Sequence, residues 1–480
     1  MRGRRLRRLN ARLTHGTDSM GTMQNPLRRS VLLLAALACA VAPMARAQSG
    51  GWRMLFNGTS LDGWYPCNGS APYTVEDGTI TGRSVVNSPN SFLCNREAFG
   101  DFVLEYEVWL GTQLNSGVQI RSIADPAIGN GRVHGTQIEI DPSDRKWTGG
   151  IYDESRRGWL HTLDGQPAAQ NAFHLGVWNT FRVEAIGSSI RTWVNGVPTA
   201  NIVDDLTPRG IIALQVHDIG SDAKLAGQIV RFRNIRIRTD NPSAIRTPDT
   251  GETPQYNYIV NTLSAREQQA GWKLLWDGKT TAGWRGAKLT TFPAQGWEIK
   301  DGVLSVLETE GREAAAGGDI VTVDEYENFE LTAEYRLSRG ANSGIKYFVN
   351  TELNTGAGSA IGNEFQILDD AVHPDAKLGV NGNRTNGGLY DLIPPRNVRF
   401  NGIGEWNRAR IIVRGSHVEH WLNGFKTVEY ERGTQEWRAL VDHSKYVVWP
   451  NFGEAKRGHI LLQDHGNNVS FRSIKIRVLP

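Results

Sequence analysis

Cysteine is scarce: the 480-residue chain has three, too few for a disulfide-stapled scaffold or a Cys-rich metal centre. Charge of one sign is also missing. The chain sets 53 Lys+Arg against 50 Asp+Glu, a formal net charge of +3, which argues against a mainly electrostatic nucleic-acid binder. No apolar run approaches the roughly 20 residues of a membrane span. The run from Val31 to Val41 is preceded by Arg28-Arg29 and followed by Ala45-Arg46-Ala47. That order predicts a secretory signal peptide over residues 1–47, cleaved after Ala47, and export to the periplasm or beyond. Arg28 to Leu32 partly resembles a twin-arginine signal, and Ala36 to Cys39 matches a lipoprotein box poorly. Cys39 leaves with the signal, so Cys67 and Cys94 remain, either paired or as two buried thiols. There is no zinc-type Cys/His spacing, no phosphate loop, no G-x-S-x-G elbow and no EF-hand.

What the chain has in excess is glycine, 53 residues, and tryptophan, 15 residues, which suits a turn-rich β protein with rings available for stacking on sugars. It also repeats itself. Gly51-Trp52-Arg53-Met54-Leu55-Phe56-Asn57-Gly58 returns as Gly271-Trp272-Lys273-Leu274-Leu275-Trp276-Asp277-Gly278. Asn115-Ser116-Gly117 returns as Asn342-Ser343-Gly344, and Trp193-Val194-Asn195-Gly196 as Trp421-Leu422-Asn423-Gly424. Two copies of one domain follow, at 50–239 and 270–480, joined by a linker at 240–269 with a short helix before the second copy.

Within each copy the hydrophobic period is two. Phe181, Val183 and Ala185 alternate with Arg182 and Glu184, and Asn195-Gly196, Asn423-Gly424, Asp77-Gly78 and Asp301-Gly302 mark hairpin turns. About 190 residues of short strands per copy give an all-β chain of two tandem jelly-roll β-sandwiches.

Period two also groups the polar residues. Gln119 and Arg121 share a face, with Lys346 in the place of Gln119 in the second copy. Gln137 and Glu139 share a face, as do Glu364 and Gln366: Q-x-E in one copy, E-x-Q in the other. A carboxylate on a half-covered sheet can act as a base, and an amide beside it can orient a hydroxyl. Tyr152 and Tyr390 follow Gly-Gly pairs as hydrogen-bond donors, Trp159 can stack on a pyranose, and Gln215-Val216-His217 matches Gln463-Asp464-His465. Solvated polar strands and surface ion pairs account for the same residue types.

Taken in order, Leu-Phe-Asn-Gly, Asn-Ser-Gly, Glu-Phe-Gln-Ile-Leu-Asp-Asp, Gly-Gly-Leu-Tyr, His-Trp-Leu-Asn-Gly and Leu-Gln-Asp-His-Gly resemble the 3-keto-disaccharide hydrolase family across both copies. The resemblance implies a concanavalin/laminarin-type jelly roll acting on glycosides oxidised at C3, as 1,2-lyase, hydratase or net hydrolase. It implies Glu364 as base, Gln366 and Gln463 on the sugar, Lys346 and Tyr390 on the enolate oxygen, and His465 as acid. In the first copy Glu139, Tyr152 and His217 take the catalytic places, with Gln119, Arg121, Gln137, Gln215 and Trp159 binding substrate. The Q-x-E order and Gln119 depart from the family pattern.

Two other classes fit the same residues. A non-catalytic tandem sugar binder would use the same faces. A conventional glycosidase would use Glu139 and Asp141, about 7 Å apart along one strand. No cofactor is expected, although Asp369-Asp370 or Asp141-Pro142-Ser143-Asp144 offers oxygen ligands of the kind Ca²⁺ takes. The expected partner is an oxidised glycoside, without nucleic acid; oligomeric state is not legible.

Overall fold

A computed structural model describes residues 50–128, 131–313 and 315–480; the expected signal segment lies outside them. The chain is all-β apart from short helices, and each copy is a two-sheet sandwich closed around its own core. Among the described residues no helix is long and apolar enough to cross a membrane, which says nothing of strands.

The alternation read from the sequence is what fills these cores. Phe181, Val183 and Ala185 of strand Trp178–Ile186 are buried in the first core, and Ala409, Ile411 and Val413 of strand Asn407–Arg414 in the second. Asn195 and Gly196 take φ of 50° and 81°, and Asn423 and Gly424 take 50° and 86°. Both central residues are thus left-handed, as a type I′ hairpin requires.

In the first copy one sheet has seven strands. Its centre runs from Ile151–Glu154 through His134–Ile140 and Ser116–Ile123 to Gly210–Val216. The matching sheet of the second copy has five strands, ending in Gly458–Leu462, Asn342–Asn350 and Ile361–Leu368. One face of each sheet covers the core and the other carries the candidate polar residues. Ile345, Phe365 and Leu462 point into the second core, whereas Lys346, Glu364 and Leu461 sit on the other side in register.

The segment 240–269 is a strap. Tyr256–Asn257 adds as a parallel strand to the edge strand Val197–Val203 of the first copy. Thr247 donates to Glu184 through both its amide and its hydroxyl, at 2.8 and 2.7 Å. The expected helix forms at Ala265–Gln269, where Ser264 and Glu267 make a capping box. Glu267 then takes the second copy's Lys475 at 2.9 Å, and Arg408 donates to the Asn257 carbonyl at 3.1 Å. Cys67 and Cys94 are joined in a disulfide, with Cα atoms 5.9 Å apart.

One face assignment is corrected here. Arg121 does not share the face of Gln119, because the strand bulges between Ile120 and Ile123 and Arg121 takes a φ of 46°. Phe348 occupies the same bulge in the second copy, with a φ of 52°, and is buried in the core. An extra residue breaks the period-two count. The Arg121 guanidinium is therefore used structurally, donating to Gly100 O at 2.9 Å, Gly187 O at 2.7 Å and Asp101 at 2.9 Å.

Candidate active sites on the polar faces

In the second copy, antiparallel register places Lys346 directly across from Glu364, and Gly344 across from Gln366. Lys346 Nζ lies 3.8 Å from Glu364 Oε2. It is held there by Ser359 Oγ and by the Ala360 carbonyl at 3.2 Å. Burial pushes the Glu364 carboxyl above its ordinary value, and the charges of Lys346 and Lys445 work against that rise. A Cβ at Gly344 would stand 2.1 Å from Glu364 Oε1, so a side chain there would displace the carboxylate.

Gln366 donates to Asn342 Oδ1 at 3.2 Å, but its own oxygen is buried with no partner, as are Gln463 Oε1 and His465 Nδ1. Gln463 sits beside this row, its amide donating to the Gly344 carbonyl at 3.0 Å. Buried polar atoms left open cost stability unless something binds them. Tyr390 follows the strand, its amide donating to Glu364 O at 3.1 Å. Its hydroxyl donates to Asp375 at 2.7 Å, and Arg384 bridges Asp375 and Asp391 at 2.9 and 2.7 Å.

The first copy has the same frame with different charges. Gln119 faces Gln137, and Gly117 faces Glu139. Gln137 therefore stands where Glu364 stands, and Glu139 where Gln366 stands. The Lys–Glu pair becomes an amide pair, with Gln119 Nε2 donating to Gln137 Oε1 at 2.7 Å. Glu139 accepts from Asn115 at 2.7 Å and Gln137 at 3.0 Å. Burial still raises its carboxyl to about 7, the hydrogen bonds of Gln137 and Asn115 opposing the rise and the charges of Asp141 and Glu154 adding to it. Gln215 is buried on this face with both amide atoms open. Tyr152 lies across from Gln137, and Trp159 across from Tyr152.

The expected residues thus divide. Lys346, Glu364, Gln366, Gln463 and Tyr390 come together in one copy, and Gln119, Gln137, Glu139, Gln215 and Tyr152 in the other. His465 lies edge-on to His373 at 5.8 Å, whereas His217 is half-buried with Nδ1 2.6 Å from the carbonyl of Asp218. Trp159 packs edge-on against Trp147 at 4.7 Å and Tyr152 at 5.3 Å, at the border of the face.

Sequence reasoning missed Lys445, Asp375, Arg384 and His373. All four sit on insertions that the first copy lacks, so no repeat match exposed them. Lys445 Nζ lies over the Tyr390 ring at 4.2 Å, just after helix Gln435–Asp442. Asn115 and Asn342 did carry a signal, the repeated Asn-Ser-Gly.

The turns considered for a cation use their oxygens locally. Asp369 takes the amides of Gly340 and Ala371 at 2.7 and 3.2 Å, and Asp370 that of Asn386 at 2.9 Å. Asp141 is paired with Arg145 at 2.8 Å.

The chain is similar to known proteins. A Bacteroides thetaiotaomicron protein named 3-keto-disaccharide hydrolase is 37% identical over 242 residues, covering 46% of this chain and 82% of its own. A crystal structure of a candidate glycosyl hydrolase from Parabacteroides distasonis ATCC 8503 is 29% identical, covering 46% of this chain and 100% of its own, with a TM-score of 0.41. A second from the same organism is 28% identical over 43% of this chain and 99% of its own, with a TM-score of 0.33. Residues 51–238 and 271–477 each match the family described as 3-keto-alpha-glucoside-1,2-lyase-like domain, and the chain belongs to that family, carrying its domain twice.

Proposed function

We propose that the protein is an exported enzyme that cleaves 3-keto-glycosides, with elimination carried out on the second copy. The observation that carries this reading is Glu364 held opposite Lys346 on a face where the side-chain oxygens of Gln366 and Gln463 are open. A C3 ketone acidifies the proton at C2. Glu364 removes it, and the electron pair moves into the C2–C3 bond as the carbonyl oxygen becomes an enolate. Lys346 and Lys445 supply positive charge where that oxygen develops.

The enolate collapses, the C3 carbonyl reforms, a C1–C2 double bond forms and the C1–O bond breaks. His465 gives the leaving oxygen its proton. Gln366 and Gln463 hold the sugar hydroxyls. Water added across C1–C2 then gives the free 3-keto sugar, so that net hydrolysis needs no oxocarbenium ion. Tyr390 already donates to Asp375, so its place here is to fix Asp375 and Lys445 beside the base. The first copy, with an amide in the position of the base, is the weaker catalyst.

The test is release of aglycone from a 3-keto-glucoside beside its unoxidised parent. Release from the ketone alone supports the proposal; release from both means a conventional glycosidase, and from neither a binder. Glu364→Gln should lower the rate by about 10² to 10⁴, the usual worth of a general base. A rate within about threefold of wild type, with Glu139→Gln inactive, would move the chemistry to the first copy. N-terminal sequencing of protein recovered outside the cytoplasm checks cleavage after Ala47.

A further inference from the structure

Where the two copies meet, the described residues enclose a cavity of about 350 Å³, at the small end of the about 300–1,000 Å³ of small-molecule sites. Three pieces of chain build it. The first copy gives Tyr152 and Trp159 from the hairpin Ile151–Glu154 and Gly158–His161. The linker gives Tyr258. The second copy gives Trp406, Trp421 and the Asn423-Gly424 turn, all from the sheet opposite its own polar face. Among the described residues no strand follows Tyr390 before Asn407, so the hairpin, and with it this cleft, belongs to the first copy only.

Each arginine lining the cleft already has a carboxylate partner. Arg156 and Arg157 share Asp153, Arg157 also takes Asp204, Arg408 and Arg472 share Glu334, and Arg410 takes Glu330. A cleft with paired cations and aromatic rings from both copies suits a neutral ligand with flat ring faces better than an anion. It also borders the first polar face at Tyr152. Tyr152 stands across from Gln137 in register and packs edge-on against Trp159 at 5.3 Å. Face and cleft share that tyrosine.

We propose that the cleft is the aglycone subsite of the first copy: a glycosyl unit lies against Gln137 and Glu139, and the ring attached at its C1 passes Tyr152 to lie between Trp159 and Trp421. Its ligand is a neutral glycoside whose aglycone is itself a ring, either a second pyranose or an aromatic. The inference rests on reading the polar faces as sugar-binding surfaces. It gives the second copy a second use, its back sheet serving as the far wall of its neighbour's site. The strap at 240–269 holds that wall in place.

The experiment is calorimetric titration of the full chain with methyl, phenyl and glucosyl glucosides of both anomers, unoxidised so that no turnover intervenes. Ring aglycones should bind about tenfold more tightly than methyl, the scale of one aromatic contact. Trp421→Ala should abolish that preference and Trp421→Phe keep most of it; Trp406→Ala, on the same wall, serves if Trp421→Ala does not fold. Preference for phenyl alone assigns an aromatic aglycone, and for the disaccharide alone a sugar. Equal binding of methyl and ring glucosides overturns the proposal. So does a preference that survives Trp421→Ala in folded protein, or Trp406→Ala where it stands in for an unfolded Trp421→Ala, or no binding by any of the glucosides. Turnover of ketones by wild type and Glu364→Gln reads the second copy separately, so either idea can fail alone.

Discussion

Lys346 stands directly across from Glu364, 3.8 Å away, where the first copy sets Gln119 across from Gln137 at 2.7 Å. A cation and an anion have been exchanged together for two amides, which keeps each buried pair internally satisfied. An unpaired buried charge would be costly in either copy. The carboxylate that remains in the first copy, Glu139, has moved to the position of Gln366 and has no cation opposite.

Removing the cation should show in the pH profile. Burial raises Glu364, and the charges of Lys346 and Lys445 lower it. In Lys346→Met the burial effect is less opposed, so the carboxyl rises further and is ionised only at higher pH. The acid limb of kcat/KM for a 3-keto-glucoside should move to higher pH, with part of the lost rate returning at alkaline pH. A rate lost equally at every pH would show that Lys346 acts on the enolate alone.

The amide pair should accept charge only as a pair. Gln137→Glu alone buries a carboxylate beside an uncharged Gln119, at an expected cost of about 3 kcal/mol. Gln119→Lys with Gln137→Glu should recover much of this, giving a coupling of at least about 1 kcal/mol in a urea-denaturation cycle. Additive losses would mean that the two positions do not interact.

Glu139 should make stability fall with rising pH. Its carboxyl is raised from 4.5 to about 7 in the folded protein, so between those values the unfolded chain ionises while the folded chain holds its proton. Stability from this group is complete below 4.5 and lost as pH rises to about 7. The Tm of wild type relative to Glu139→Gln should decline across that window and level off above it. A flat difference would show that the carboxyl is ionised in the fold.

Arg121 should matter to the fold and not to the sugar. Arg121→Met leaves the Gly100 and Gly187 carbonyls without their donor, at a cost of about 2–3 kcal/mol. Glucoside affinity should stay within about twofold of wild type. A larger loss of affinity in folded protein would return Arg121 to the binding face.

Much of the site was legible because the repeat aligned it. Asn-Ser-Gly, Gly-Gly-x-Tyr and Leu-Gln-x-His each fell on or beside the polar sheet in both copies, since strand alternation is local and survives duplication. Two kinds of residue escaped. Arg121 was misplaced because a bulge is one extra residue that composition does not announce. Lys445, Asp375, Arg384 and His373 lie on loops with no partner in the other copy, and nothing along the chain ties such a loop to a strand far away in sequence.

The sequence by itself determined the strands, the type I′ turns, the duplication and which polar residues lie on strands, because these depend on neighbours within a few positions. Tertiary structure alone decided what these residues meet: Glu364 lies across from a lysine, whereas Gln137 lies across from an amide and Glu139 across from a glycine. Equivalence across a sheet is set by hydrogen-bond register, and a shift of two residues keeps a side chain on the same face while changing what it meets. It also decided that Lys445 completes one site and that the second copy's back wall encloses a cleft beside the other. Those contacts join segments whose proximity arises only when sheets pack and a strap fixes one sandwich against the next.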